Sequence, residues 1–190
     1  KHVMVHNAMQ AIRREKGTFQ HGKAPILMET LPLLADMLSG SDLVTLRDKA
    51  LLFLGFAGAF RRSELVAVQI EDLTFTTQGM VVFIPQSKGD QLGAGSEIAI
   101  PYAPQKEICA VRAVRNWMEA AGITSGPLFR GFKRNLQPRD TQLNDKAVAE
   151  IVKKYMARLG LDPSDFAGHS LRRGFATSAA QHDLNTLEIM

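Results

Sequence analysis

Apolar positions along the chain recur mostly three and four apart, the spacing of one helical face, and a short stretch of strand-like alternation interrupts this period once. Val5, Met9 and Ile12, with Ala8 between them, predict a helix over 1–16, broken where Arg13, Arg14, Glu15, Lys16 and Gly17 follow. Residues 18–25 (TFQHGKAP) are polar, hold Gly22 and Pro25 and have no period, so they read as a linker. Leu31, Leu34, Ala35 and Leu38 predict an amphipathic helix over 28–38 that stops at Ser39-Gly40. A further helix follows, with Thr45 as its N-cap, Asp48 in the acid position of a capping box, and the run ALLFLGFAGAF (50–60) behind it. Apolar residues on every side of that run imply a helix buried all round. Ser63-Glu64 opens a short helix whose apolar residues are Leu65, Val66 and Val68.

The period then shortens. Residues 73–76, a turn at Gln78-Gly79, and residues 80–85, rich in β-branched and aromatic side chains, predict a hairpin, and EIAIP (97–101) a third strand. Helices resume over 105–121, with Ile108, Val111, Val114 and Met118 on one stripe, Trp117 bordering it, and Gly122 suited to a left-handed end. Residues 124–142 read as a long loop carrying Arg130, Lys133, Arg134 and Arg139. Asn144 then caps a helix whose buried stripe is Val148, Ile151 or Val152, Tyr155 and Leu159, ended by Gly160. A turn-rich connector over 161–168 leads into a helix over 169–180, and 186–190 begins another element. The fold class is therefore α+β, mainly α-helical, with one small three-stranded antiparallel sheet.

Composition narrows the field. With 190 residues, 45% hydrophobic and 22% charged, the chain can bury one sizeable core, and disorder, collagen and coiled coil are excluded as descriptions of it. The longest apolar stretch, 50–60, is well short of the roughly 20 residues of a membrane-spanning helix. One cysteine, Cys109, makes neither an internal disulfide nor a cysteine zinc cluster, which fits a reducing, cytoplasmic setting. Lys and Arg number 23 against 19 Asp and Glu, a net charge of +4 that suits a polyanion partner without demanding one. The chain starts at Lys1 with a helical pattern and no secretory signal, and is expected to be part of a longer one.

Arg61 and Arg62 directly follow the most apolar helix, and Glu64 stands one turn after Arg61. A guanidinium at the mouth of an apolar core needs a fixed anion, either a phosphate or a carboxylate, so Arg61 is a candidate phosphate ligand or the structural partner of Glu64. His169 and Arg172, at i and i+3 in HSLR, place a proton-transfer group beside an anion clamp if the segment is helical; a capped histidine with a surface arginine is the plainer alternative. Lys88, in QSKGD, lies on a glycine-bearing loop between the second and third strands, where a lysine can swing over a phosphate or simply be solvated. His2 and His6 lack the Glu of HExxH, the loop and cap positions of Asp140, Asp145, Asp162 and Asp165 make no two-metal nuclease cluster, and GxSxG, GxGxxG, CxxC and P-loop spacings are absent.

As an ordered set, GAFRRSEL (58–65), QSKG (86–89) and GHSLRRGFAT (168–177) resemble the tyrosine recombinase, or phage integrase, family. The resemblance covers the chain from about residue 24 onward. It implies that 1–17 is the last helix of an N-terminal DNA-clamping (core-binding) domain, 18–25 a linker, and 26–190 a catalytic domain that stops before its nucleophile. It implies catalytic roles for Arg61, Lys88, His169 and Arg172 and a supporting role for Glu64. The chemistry implied is site-specific DNA breakage and rejoining through a 3′-phosphotyrosine, without metal or other cofactor. The family's tyrosine follows the HxxR segment by a helix or two; Tyr102 and Tyr155 both precede it, so the nucleophile is expected beyond Met190 and the fragment alone is expected to be inactive.

The resemblance further implies double-stranded DNA as partner, met through phosphates by Arg62, Lys133, Arg134 and Arg173. A full-length protein would form a synaptic homo-tetramer on DNA, the fragment a monomer, with no membrane association and a cytoplasmic, nucleoid-associated location. Three competing readings are a non-catalytic DNA-binding relative of the same fold, a type IB topoisomerase-like strand transferase, and a helical module with accidental motifs.

Overall fold

The computed structural model describes residues 22–85 and 95–181. The predicted opening helix, His2 and His6, Lys88 and the element expected at 186–190 lie outside the described residues. Among those described are six α-helices: α1 (Thr30–Met37), α2 (Leu43–Ala57), α3 (Arg62–Ala67), α4 (Ala110–Ala121), α5 (Asp145–Arg158) and α6 (His169–Gln181). A three-stranded sheet, β1 (Leu73–Phe75), β2 (Gly79–Ile84) and β3 (Ser96–Pro101), sits between α3 and α4, and a two-stranded hairpin, β4 (Arg130–Phe132) and β5 (Pro138–Gln142), between α4 and α5.

The core is organised around α2. Ala50, Leu51, Leu52, Phe53, Leu54 and Phe56 are all buried, as an all-round apolar helix requires, with α4 and α6 packed against it. Its N-cap is Asp42 rather than Thr45: the Asp42 carboxylate accepts from the Thr45 amide at 3.0 Å and from the Thr45 hydroxyl at 2.6 Å. Those bonds hold the Asp42 carboxyl below its ordinary value. Asp42 and Thr45, one turn apart, are both good capping residues, so local sequence alone does not choose between them; Asp48 is not a capping acid but is fully buried.

The sheet follows the alternation. β2 pairs antiparallel with β1 (Leu73 opposite Val82) and with β3 (Met80 opposite Ile100, Ile84 opposite Ser96), and Met80, Val82, Ile84 and Ile100 are buried. The helix predicted over 105–121 is broken: a 3₁₀ turn over Lys106–Ile108 precedes α4, and Cys109 between them is extended. A one-turn 3₁₀ segment keeps the same apolar phase, so periodicity does not reveal the break. Trp117, placed at the border of the stripe, is at the centre of the core, and its indole N–H donates to the Leu128 carbonyl at 2.8 Å. Gly122 ends α4 in the left-handed region, φ 63°, as expected.

Residues 124–142 are not one loop. The β4–β5 hairpin was hidden because PRDTQ is polar and exposed along most of its length and carries no apolar alternation. Asn144 caps α5 as predicted, accepting from the Lys146 amide at 2.9 Å. Residues 23–26 are tied to the region around α6: the Ala24 amide donates to the Asp165 carbonyl at 2.7 Å and the Ile26 amide to the Ser170 carbonyl at 3.0 Å.

Candidate functional site

The end of α2 builds one wall of the site. After Gly58 the chain turns through Ala59, whose φ of 47° is unusual for a residue with a side chain, buries Phe60, and emerges extended at Arg61, the N-cap of α3. Glu64, in the first turn of α3, accepts from the Arg61 backbone N–H at 2.8 Å and from Arg61 Nη1 at 2.5 Å. Both readings of Arg61 are therefore compatible. Glu64 neutralises and orients one arm of the guanidinium, while the side chain as a whole stays one-third exposed.

The opposite wall is α6. Leu171 is buried against Gly55 of α2, which sets the rotation of the helix and turns Arg172 toward the bend after α2. Arg172 Nη1 donates to the Ala59 carbonyl at 2.8 Å, 113 positions away in sequence. Phe175, one turn on, meets Phe56 edge-to-face at 5.9 Å between centroids. Arg61, Glu64 and Arg172 line one cleft of about 330 Å³, with Ile84, Ile98 and Phe175 as apolar walls. His169, the first residue of α6, is exposed one turn before Arg172 and is not part of that wall. The paired residues Ile84 and Ser96, where the chain leaves β2 and enters β3, also line the cleft.

The residues expected to contact a polyanion fall in two groups. Arg62 lies across Gly168 with its Nη2 3.8 Å from an Asp145 carboxylate oxygen, and Arg173 Nη1 donates to the Lys23 carbonyl at 2.6 Å. Lys133 and Arg134 are exposed at the turn of the β4–β5 hairpin.

Neither described tyrosine lines the cleft. Tyr102 lies just after β3 with the Arg112 guanidinium over its ring at 5.1 Å. Tyr155 is buried, and its hydroxyl donates to Asp48 at 3.0 Å; burial, then the neighbouring carboxylate, push its pKa well above the ordinary value, so it stays protonated.

One charged cluster leaves no periodic pattern in the local sequence. Asp48 has no exposed surface; Arg47 Nε and Nη2 donate to one of its oxygens at 2.9 and 2.5 Å, and Lys154 Nζ at 3.1 Å and the Tyr155 hydroxyl reach the other. The available signal was a charged Arg47-Asp48 step at the head of an otherwise apolar helix, but its partners on α5 lie more than a hundred positions away.

Six helices with a small three-stranded antiparallel sheet make up a fold shared with solved site-specific recombinases. Solved structures share this fold: the XerH site-specific recombinase bound to difH substrate in a pre-cleavage complex (TM-score 0.64, 17% identity, 88% of this chain and 46% of that one) and the XerA recombinase (TM-score 0.64, 14% identity, 90% and 53%). The chain belongs to the phage integrase family, which it matches over residues 25–190. It is 66% identical over all 190 residues to an integrase/recombinase XerD homolog of Selenomonas ruminantium, covering 56% of that protein. It is 32% identical over 132 residues to the tyrosine recombinase XerA of Pyrococcus horikoshii, covering 70% of this chain and 40% of that one. The chain thus spans about half the length of the curated relatives it matches. No described helix is long and apolar enough to cross a membrane.

Proposed function

We propose that this chain is the catalytic domain of a site-specific DNA recombinase acting by transesterification through a 3′-phosphotyrosine. The observation that carries the proposal is the convergence of Arg61 and Arg172 on one cleft although they stand more than a hundred positions apart in sequence. Attack of a tyrosine hydroxyl oxygen on the scissile phosphorus forms the tyrosyl O–P bond and breaks the bond to the 5′ oxygen. Negative charge concentrates on the non-bridging oxygens in between, and two forked guanidiniums neutralise it by charge-assisted hydrogen bonds. His169 takes part in moving the tyrosine proton and Lys88 returns one to the departing 5′ hydroxyl, so protons balance. Rejoining is the same sequence reversed, with the bond energy kept in the covalent intermediate.

Glu64 acts as a positioning residue through its bonds to Arg61. Arg62, Lys133, Arg134 and Arg173 hold duplex phosphates, and synapsis assembles a homo-tetramer on DNA. The nucleophile is a tyrosine other than Tyr102 and Tyr155.

The test is a nicked suicide duplex carrying the recombination site, incubated with the full natural chain. A covalent protein–DNA complex is expected, reduced at least about 100-fold by Arg172→Ala. A chain that shifts the duplex yet never becomes attached to it would identify a non-catalytic DNA-binding relative.

A further inference from the structure

The β4–β5 hairpin is poorly able to hold its own direction. Its strands pair at Arg130 opposite Gln142 and Phe132 opposite Pro138, with an irregular register between, and a two-stranded ribbon of this size is marginal by itself. Its turn is well formed, with the Leu136 amide donating to the Lys133 carbonyl at 3.0 Å and the Lys133 amide to the Gln137 carbonyl at 2.9 Å. The direction in which that turn points must come from contacts with the body. Phe132 meets Trp117 edge-on at 6.1 Å, and the Arg47 guanidinium lies 4.8 Å from the centre of its ring. Arg47 Nη1 also donates to the Arg130 carbonyl at 3.3 Å.

One planar group therefore does three things: it is pinned to Asp48 through Nε and Nη2, bonds the backbone of β4 through Nη1, and stacks on Phe132. Only a guanidinium has that geometry. Asp48 is in turn fixed by Lys154 and Tyr155, so the anion has no freedom to turn. Stability alone does not explain such a buried cluster, since apolar side chains of similar volume usually serve as well.

We propose that Arg47, oriented by Asp48, is a positioning residue for DNA binding that sets the pose in which the hairpin presents Lys133 and Arg134 to the phosphate backbone. This rests on the duplex-binding reading of the previous subsection.

The test uses Arg47→Lys in the full natural chain, with a fluorescent duplex DNA oligonucleotide titrated across a range of KCl concentrations. Lysine keeps a charge for Asp48 but loses the carbonyl bond and the stacked plane. Affinity at low salt should fall about tenfold, and the dependence of log K on log salt should flatten by roughly 2, the share of two phosphate contacts. In a Lys133→Ala/Arg134→Ala background the same substitution should cost nothing further. Equal losses in both backgrounds, or none in either, would overturn the proposal. Should Arg47→Lys not fold, Phe132→Leu removes the stacking surface while leaving Arg47 on Asp48, and must show the same dependence on Lys133 and Arg134 or the proposal fails. Absence of any binding by the unaltered chain would instead refute the duplex-binding reading on which it rests.

Discussion

Replacing Asp48 by asparagine removes one charge and almost no volume, and should destabilise the fold far more than its size suggests. The asparagine oxygen can still accept from Arg47, but its amide must then face Lys154 Nζ and the Tyr155 hydroxyl, which now donate to Asp48 at 3.1 and 3.0 Å. Lys154, with a side chain 38% exposed, can turn to water; Arg47, at 9%, cannot, and is left nearly buried without a counter-charge. Breaking a buried pair from one side costs about 3–5 kcal/mol. At roughly 2–4 °C per kcal/mol for a domain of this size, thermal unfolding followed by circular dichroism should show Tm lowered by about 6–20 °C. The combined replacement Arg47→Met, Asp48→Leu and Lys154→Met removes all three charges together and should unfold within about 2 kcal/mol of the original, because no unpaired ion remains. A Tm for Asp48→Asn within about 2 °C of the unaltered protein would show that charge pairing is not what holds these elements together.

Two further outcomes follow from local geometry. Asp42→Ala should cost about 1 kcal/mol at neutral pH through loss of the α2 cap. Because the folded Asp42 carboxyl lies below its ordinary value of 3.8, its contribution is present above that value and lost as pH falls through the folded value; urea titrations should therefore show the variant's deficit shrinking below about pH 4. In α6, a methyl at Gly174 would overlap the Ile26 carbonyl oxygen. Gly174→Ala should destabilise by about 1–3 kcal/mol and speed hydrogen exchange at the Ile26 and Met28 amides, which now bond the Ser170 carbonyl and the Ser178 hydroxyl at 3.0 Å each. Unchanged protection of those amides would refute that account.

What could be read from the chain by itself was whatever depends on neighbours close in sequence. The helical stripe of Leu31, Leu34, Ala35 and Leu38, the all-round burial of 50–60, the turn before Gly79 and the Asn144 cap all follow from local spacing, because burial of one face and satisfaction of a few terminal amides are decided within a turn or two. The pairing of Arg61 with Glu64 three positions on was likewise legible. Tertiary structure alone decided the rest. Arg172 reaches the Ala59 carbonyl, Asp48 gathers Lys154 and Tyr155, and Arg47 grips a hairpin that shows no apolar alternation. Each of these joins groups 83 to 113 positions apart, or depends on a polar strand held by contacts from outside itself. Local patterns carry no record of such pairings, because a buried charge can be tolerated only once the folded chain has brought its partner within hydrogen-bonding distance.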